Sequence, residues 1–264
     1  MHNQENCHEN VWILSGTSDG PHLAERLLKR NYSVFVSVLT YKASKSYPKN
    51  VKLHIFTGKL DGQTEIVTFI KNNKIGYVVD ATHPFALIIS ENLSNACKII
   101  KKPLFVYERK SEIKATSNLI YISGLKDIRE VEFKNKNILL AIGSRYLDET
   151  ARYYLNFGAN VFTRVIPTKE SILRAFGSCI NNENIAILEP SKFKENCLEK
   201  KLCDFWKIDF VLCRDSGSYS SKNWQELISV SDMKLFLVKR PKFKYENSLY
   251  FSEYDKLIYH IENS

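Results

Sequence analysis

The sequence lacks the features that mark several specialised classes of protein. No apolar run reaches the roughly 18 residues that a membrane-spanning helix needs. The amino terminus, MHNQENCHEN, is polar and has no apolar segment of the kind found in secretory signals. We therefore expect a cytoplasmic protein that does not bind membranes.

Metal-ligating and disulfide-forming patterns are also missing. The chain has six cysteines, and no two of them form a CxxC pair. Several lie among apolar residues, as Cys213 does in DFVLC, and the six histidines are not clustered at the spacing of metal ligands. The pattern indicates reduced, mostly buried thiols and predicts no protein-bound metal.

Acidic residues are scarce relative to basic ones. Against 38 Lys and Arg there are 29 Asp and Glu, which gives a formal net charge of +9. The lysines are spread along the chain rather than gathered on one stripe with stacking aromatics, so nucleic acid is not a predicted partner. A basic field can concentrate a small polyanionic substrate, and a compositional bias towards lysine explains the excess equally well.

The chain does contain a regular alternation of apolar runs and helical patterns, which is typical of crossover units on a parallel sheet. The polar stretch Arg109–Leu119 interrupts it. We therefore predict an α/β fold with two Rossmann-like parallel-sheet lobes, residues 10–112 and 113–264, and a cleft between them. A short amphipathic segment in the tail, Tyr254–Ile261, is expected to pack back on one of the lobes.

The predicted strands direct attention to their carboxyl ends, because ligands of open parallel sheets bind there. In the first lobe the predicted strands are Val11–Leu14, Ser33–Leu39, Lys52–Phe56, Tyr77–Ala81 and Leu104–Tyr107. In the second lobe they are Asn137–Ile142, Asn160–Val165, Ile185–Leu188, Phe210–Cys213 and Lys234–Lys239. The strand ends carry small, hydroxyl or charged residues, as two site-bearing lobes would.

The first strand, in VWILSGTSDG, runs into a glycine-bracketed turn and then a helix. Glycine allows the tight turn, and a helix N-terminus offers N–H groups to a phosphate. The candidate nucleotide-binding residues are Gly16, Thr17, Ser18 and Gly20. The spacing is G-x-x-x-G rather than the full G-x-G-x-x-G, so an ordinary strand-to-helix turn, with Asp19 capping the helix, is the alternative.

The end of the second strand indicates which nucleotide would bind. An enzyme specific for NAD tends to place an acid there for the ribose 2′-hydroxyl. This chain instead has Thr40 and Lys42, with Lys45 beyond them and no acid. A hydroxyl and ammonium groups suit a 2′-phosphate, so we predict NADPH as the cofactor, with Thr40 and Lys42 binding it.

The fourth strand ends in a second distinctive junction, DATHPF, which is expected to lie beside the first. Thr82 would then contact the cofactor near its nicotinamide. His83 can carry a proton at neutral pH and is a candidate acid or base. The alternative is that Thr82 caps a helix over Pro84–Lys101 and that His83 packs in a loop.

With these motifs in view, the sequence resembles the precorrin-6A reductase family of corrin biosynthesis, and DATHPFA is the most specific part of the match. The matching segments are SGTSDG (15–20), GKLD (58–61), DATHPFA (80–86), PLFVYER (103–109), IGSR (142–145), TRVIPT (163–168), RDSG (214–217) and LVKRP (237–241). The resemblance covers nearly the whole chain.

Three segments depart from the family pattern. Ser15 and Gly16 stand where the family usually has two glycines, and Arg214 stands where a lysine is common. The family's Q-G-P-F-S loop is represented only by Glu189-Pro190-Ser191-Lys192-Phe193. Whether that loop still contacts a ligand is left open.

The resemblance implies an NADP-dependent oxidoreductase that reduces one double bond of precorrin-6A, or of its cobalt form, to the 6B product. The substrate is a polyanionic tetrapyrrole, which suits a basic protein. Its carboxylates are expected to contact arginines and neighbouring loop residues. These predicted substrate-binding residues are Ser144, Arg145, Arg164, Arg214, Ser216 and Gly217; any of the arginines could instead be structural. The predicted proton donors are His83, Asp215 if protonated, or water.

Other classes of protein remain as alternatives. Tyr41 and Lys45 have the Tyr-x-x-x-Lys spacing of short-chain dehydrogenases, although they follow the second strand rather than the fourth or fifth. A sensor that binds NADPH without turnover would share the same nucleotide turn. The sequence is compatible with a monomer or a weak homo-oligomer.

Overall fold

The computed structural model of the chain describes residues 9–111, 116–124, 133–189, 198–217, 219–229, 231–241 and 244–264. The chain forms two compact units. The first runs to Lys110 and resumes at Pro241, and the second spans Ser111–Arg240. Across these described ranges, no helix is long and apolar enough to cross a membrane.

The strands and helices alternate along most of the chain. The strands are β1 Asn10–Ser15, β2 Val34–Val38, β3 Leu53–Thr57, β4 Ile75–Ala81, β5 Leu104–Tyr107, β6 Leu119–Ile122, β7 Asn137–Ala141, β8 Asn160–Val165, β9 Ile185–Ile187, β10 Phe210–Arg214, β11 Lys234–Val238 and β12 Ser248–Phe251. The helices are α1 Asp19–Lys29, α2 Tyr41–Ser44, α3 Gly62–Asn72, α4 Leu87–Ile100, α5 Leu147–Asn156, α6 Lys169–Phe176, α7 Leu198–Phe205, α8 Tyr219–Ile228 and α9 Tyr254–Glu262.

The first unit is a six-stranded parallel sheet with the order β12-β5-β4-β1-β2-β3. Successive residues of β1 serve opposite faces: Val11 and Ile13 pack under α1 and α9, whereas Trp12 and Leu14 pack under α3 and α4. This explains why β1 is an unbroken apolar run, since helices cover both faces of the sheet. The order is that of the Rossmann fold.

The second unit repeats the arrangement, with the order β6-β11-β10-β7-β8-β9 and all pairs parallel. Its central strand β7 sends Ile138 and Leu140 to one core cluster and Leu139 to the other. The predicted fold class, two Rossmann-like parallel-sheet units, is therefore confirmed. The cleft between them stays a prediction.

The tail differs from the predicted grouping, which placed residues 113–264 in one lobe. After the second unit the chain returns to the first, where β12 pairs with β5 from Ser248 opposite Leu104. Helix α9 then buries Leu257, Ile258 and Ile261 in the same core cluster as β1 and α1. The tail folds onto the first unit because β12 pairs with the edge of β5 there and α9 covers apolar side chains of the same sheet.

Candidate active site

Strands β1 and β4 are neighbours at the point where the strand order of the first unit reverses, and this is where open α/β sheets bind ligands. The turns that follow them are in contact. The Gly16 amide donates to the Ala81 carbonyl at 3.4 Å, and Thr17 Oγ1 lies 3.2 Å from the same oxygen. The expectation that the two junctions lie side by side is confirmed.

The two glycines of the first turn have different roles. A Cβ on Gly16 would lie 3.5 Å from the His83 amide nitrogen, an ordinary contact, and would fill space beside the second turn. A Cβ on Gly20 would collide with the Ser15 hydroxyl and the Tyr47 hydroxyl. Gly20 is buried inside α1 and is required for packing, whereas Gly16 keeps the surface of the turn open.

Asp19 is the first residue of α1, and its carboxylate is turned into the unit. Oδ1 accepts a hydrogen bond from Arg109 Nε at 2.7 Å and another from Tyr254 Oη at 2.6 Å. Oδ2 accepts from Thr17 Oγ1 at 2.9 Å. Arg109 also donates from Nη2 to Ser18 Oγ at 2.7 Å. In the described part of the chain, Asp19 accordingly anchors the turn rather than capping the helix.

At the end of β2, Thr40 is the N-cap of the short helix α2. Its Oγ1 accepts a hydrogen bond from the Ala43 amide at 3.2 Å. Lys42 is exposed on α2, and Lys45 Nζ lies 5.1 Å from the centre of the Tyr41 ring. The strand end therefore presents exposed lysines and a Thr40 hydroxyl that holds the local backbone, and the binding of NADPH by Thr40 and Lys42 stays a prediction.

The turn after β4 is organised by the buried carboxylate of Asp80. Its Oδ1 accepts from the Thr82 amide at 2.9 Å, and Thr82 Oγ1 lies 3.1 Å from Ser90 Oγ. His83 is half-buried, and its Nδ1 accepts from the Phe85 amide at 3.3 Å. Because Nδ1 is an acceptor, the neutral imidazole carries its proton on Nε2.

The helix after this turn begins later than predicted. Pro84 was expected in its first turn, with Thr82 as a possible cap, but α4 starts at Leu87 and its N-cap is Ala86. The reason is that the Ala86 amide donates to the His83 carbonyl at 2.7 Å, which closes a separate turn around Pro84. Thr82 and His83 consequently belong to a distinct loop between strand and helix.

In the second unit, β7 and β10 occupy the equivalent central positions. Gly143 and Gly217, in the turns after them, have φ angles of 84° and 63°, a left-handed conformation that favours glycine. A Cβ on Gly143 would lie 3.0 Å from Arg214 Nη2. The guanidinium at the end of β10 thus lies directly against the turn after β7.

The three arginines predicted to bind substrate have different surroundings. Arg145 is exposed. Arg214 is half-buried, and burial lowers the pKa of its guanidinium, although Tyr146 opposes that shift. Arg164 is buried, and its Nη2 lies 3.3 Å from Oε1 of the buried Glu199. The Arg164 contact favours the structural alternative for that residue.

Asp215, a predicted proton donor, is buried at the end of β10 and contacts an arginine of the same unit. Arg240 Nε donates to the Asp215 carbonyl at 2.9 Å, and Nη2 lies 3.4 Å from Oδ1. This ion pair does not support the role of a proton donor for Asp215. The Ser216 amide donates to the Arg214 carbonyl at 2.8 Å, which shapes the loop that leads to Gly217.

Ser144 contributes to a group of hydroxyls beside the turn after β7. Its Oγ lies 3.3 Å from Ser171 Oγ, which in turn lies 2.9 Å from Oγ1 of Thr168, the N-cap of α6. Of the altered loop at 189–193, Glu189 is exposed. The rest of that loop lies outside the described residues.

Sequence reasoning missed the contacts of Arg109, Arg240 and Tyr254. Arg109 and Arg240 come just after β5 and β11, so the strand-end rule applied to every strand would have selected them. Tyr254 had no such signal, because its position depends on the tail returning to the first unit. No group of three or more His, Cys, Asp or Glu side chains in the described ranges is placed to hold a metal ion.

These features define the class of protein. Each unit is a Rossmann-type domain whose central strand ends carry polar groups, a glycine turn in the first unit and arginines in the second. The class is therefore that of Rossmann-type α/β proteins with two parallel sheets.

Comparison with known proteins identifies the family. The family described as "Precorrin-6x reductase CbiJ/CobK" matches residues 10–262. The cobalt-precorrin-6A reductase of Synechocystis sp. is 27% identical over 237 residues, which cover 88% of each chain. The cobalt-precorrin-6A reductase of Salmonella typhimurium is 30% identical over 217 residues, or 79% of this chain and 78% of that one. The chain therefore belongs to the precorrin-6A reductase family.

A solved structure supports the fold. "CobK precorrin-6A reductase" matches with a TM-score of 0.76 at 18% identity, and the match covers 97% of both chains. The fold of the whole chain, with its two parallel-sheet units, is therefore shared with that solved structure.

Proposed function

We propose that the protein reduces one double bond of the macrocycle of cobalt-precorrin-6A or precorrin-6A, with NADPH as the hydride donor. The observation that carries the proposal is the contact between the Gly16–Ser18 turn and the Thr82–His83 turn at the switch point of the first sheet. At this point the glycine turn would hold the phosphates of a nucleotide, and the second turn would contact its reactive ring. NADPH would supply the hydride, and the protein would bind and orient the reactants.

The residues present fit the phosphorylated nucleotide. Gly16 leaves space that a side chain would fill, next to the N-terminus of α1. After β2, Lys42 and Lys45 are exposed cations. The segment from Leu39 to Lys45, which would contact the ribose, contains no Asp or Glu. Ammonium groups can pair with a 2′-phosphate, so the chemistry of this strand end favours NADPH over NADH.

The carboxylates of the substrate are proposed to contact Arg145 and Arg214. Arg214 suits this role because burial already disfavours its charge, as the lowered pKa indicates, and a carboxylate beside it would offset that effect. Because Gly143 has no side chain, the Arg214 guanidinium can lie against the turn after β7. Ser144, Ser216 and Gly217 belong to the same two turns and are proposed as neighbouring contacts.

Proton delivery after hydride transfer is proposed to involve His83 or water. To act as the acid, His83 would have to be the imidazolium, and Nδ1 would then give up the hydrogen bond that it accepts from the Phe85 amide. Asp215 is a weaker candidate because Arg240 already engages its carboxylate. His83→Asn should slow turnover without changing the affinity for NADPH, and an unchanged rate would assign the proton to solvent.

The direct test is to mix the protein with NADPH and cobalt-precorrin-6A and to follow the near-ultraviolet absorbance of the reduced nicotinamide. We expect that absorbance to fall only when all three are present, and to fall more slowly with NADH. Binding of NADPH without any loss would instead indicate a sensor. Running precorrin-6A in parallel distinguishes the metal-free from the cobalt substrate.

A short-chain dehydrogenase mechanism has little support. Lys45 Nζ lies over the ring of Tyr41, 5.1 Å from its centre, and Tyr41 is exposed on α2 after β2. That position is not where the Tyr-x-x-x-Lys pair of those enzymes acts.

A further inference from the structure

The glycine turn of the first unit is held by residues from two distant parts of the chain. Arg109 follows β5, and Tyr254 opens helix α9 of the tail. Both donate to Oδ1 of Asp19, at 2.7 and 2.6 Å, while Thr17 donates to Oδ2. Both oxygens of a carboxylate with 6% of its side chain exposed are therefore satisfied from within the unit.

Arg109 binds two successive residues of the turn. Its Nε donates to Asp19 and its Nη2 donates to the Ser18 hydroxyl at 2.7 Å. The guanidinium therefore fixes the distance between these two side chains. Its planar set of N–H donors suits this role better than the single ammonium group of a lysine would. The main chain between them is the entry to α1.

Tyr254 is fixed by its own neighbours. Its ring stacks on Tyr107 with centroids 4.6 Å apart and an angle of 11°, and the Arg26 guanidinium lies 5.3 Å from the ring centre. Burial and the hydrogen bond to Asp19 raise the pKa of Tyr254 well above its ordinary value. The phenol consequently stays protonated and keeps donating to the carboxylate.

An acid at this place has opposite effects on the helix and on a ligand. A negative charge at a helix N-terminus stabilises the helix, but it competes with a bound phosphate for the same N–H groups and repels it. In the described part of the chain, all the donors to the Asp19 carboxylate are side chains, those of Thr17, Arg109 and Tyr254. The carboxylate therefore takes none of the amides at the start of α1, although the Asp19 amide itself donates to Thr17 Oγ1 at 3.2 Å.

We infer that Arg109 and Tyr254 are positioning residues for the phosphates of the nicotinamide nucleotide. By holding the Asp19 carboxylate they fix the turn from Gly16 to Asp19 and neutralise the acid beside the phosphate site. The inference rests on the proposed function, because it takes NADPH as the ligand of this turn. The tail that follows the second unit thereby becomes part of the nucleotide site.

The inference predicts a particular pattern of affinities. Arg109→Gln leaves a buried carboxylate unneutralised beside the phosphates, so the Kd for NADPH should rise on the order of a hundredfold. Adding Asp19→Asn to that variant removes the charge and should recover most of the loss. Tyr254→Phe removes one hydrogen bond to a charged group but keeps the ring stack, so its Kd should rise roughly tenfold.

The experiment titrates each purified full-length variant with NADPH and follows nicotinamide fluorescence. Hydrogen exchange at residues 16–20 is measured on the same variants without nucleotide. Arg30→Gln is the matched control, because Arg30 is likewise an arginine of the first unit that pairs with a carboxylate, that of Glu262 at 2.9 Å, but at the far end of α1. Tyr259→Phe controls for the loss of a hydroxyl on α9, since Tyr259 is exposed. Both controls should bind NADPH like the wild type.

The outcomes separate the inference from the proposed function. Faster exchange at the turn in Tyr254→Phe, together with recovery of affinity in the double variant, would support positioning through Asp19. Equal losses in Arg109→Gln and in the double variant would overturn it, as would wild-type affinity in Tyr254→Phe. A wild-type protein that binds no NADPH would refute the proposed cofactor before any variant is made, and the inference with it.

Discussion

The two units have the same strand order, but one edge strand comes from the C-terminal end of the chain in the first unit and from the N-terminal start of the unit in the second. In the first unit the strand beside β5 is β12, which arrives after the whole second unit has been completed. In the second unit the strand beside β11 is β6, which precedes all the other strands of that sheet. The first unit is therefore complete only when the tail has returned, whereas the second is continuous in sequence.

The units also differ in the chemistry of their central strand ends. The first has a glycine turn, whose one buried acid, Asp19, pairs with Arg109 of the same unit. The second has arginines, of which Arg145 is exposed and Arg164 is buried against Glu199. One scaffold thus carries two different sets of strand-end side chains, which under the proposed function would suit a nucleotide in the first unit and a polyanionic tetrapyrrole in the second.

The largest expected effect comes from the two arginines of the second unit. Arg164→Gln should lower the free energy of unfolding of that unit by about 3–5 kcal/mol, because it removes the guanidinium that faces the buried Glu199 carboxylate. Arg145→Gln should leave stability within about 0.5 kcal/mol but raise the KM for the tetrapyrrole. Denaturant unfolding and steady-state kinetics check the pair. Equal stabilities would contradict the division into a structural and a substrate-binding arginine.

A smaller effect is expected where the tail completes the first unit. Leu257→Ala should destabilise that unit by about 2–5 kcal/mol, since Leu257 is fully buried in its core. Hydrogen exchange should then accelerate in β1 and β2 and stay unchanged in β7 and β8. Tyr259→Ala, on the exposed side of α9, is the control. Acceleration in the second unit alone would show that the tail had been assigned to the wrong sheet.

The smallest effect separates the two glycines of the first turn. Gly20→Ala should cost about 1–3 kcal/mol of stability, because the new methyl group collides with Ser15 and Tyr47. Gly16→Ala makes only ordinary contacts, so stability should hold while the Kd for NADPH rises. Thermal melts and nucleotide titrations check both variants. If Gly16→Ala bound NADPH normally, that turn would not be the phosphate site.

Most of the fold follows from hydrophobic pattern. The predicted strands Leu104–Tyr107 and Asn160–Val165 have the same bounds as β5 and β8, because buried parallel strands are continuous apolar runs between polar turns. Strands β6 and β12 were missed. Each is a mostly apolar run of only four residues at a sheet edge, and a run that short does not distinguish a strand from a loop or a helix segment.

The candidate site was less predictable, because its contacts join residues far apart in sequence. The resemblance to the family located the loops around Gly16, Thr82 and Arg214. It did not distinguish Arg164, which pairs with Glu199, from Arg145, which is exposed. Nor did it associate Tyr254 with Asp19, since that contact exists only after the tail has crossed back to the first sheet.

The most direct test of the central claim follows the hydride itself. The protein is incubated with cobalt-precorrin-6A and NADPH that carries deuterium at both C4 positions, and the tetrapyrrole product is analysed by mass spectrometry. The proposed reaction predicts a reduced macrocycle that has gained one deuterium from the nucleotide and one proton from His83 or water. A reduced product without deuterium, or an unreduced tetrapyrrole despite bound NADPH, would contradict it.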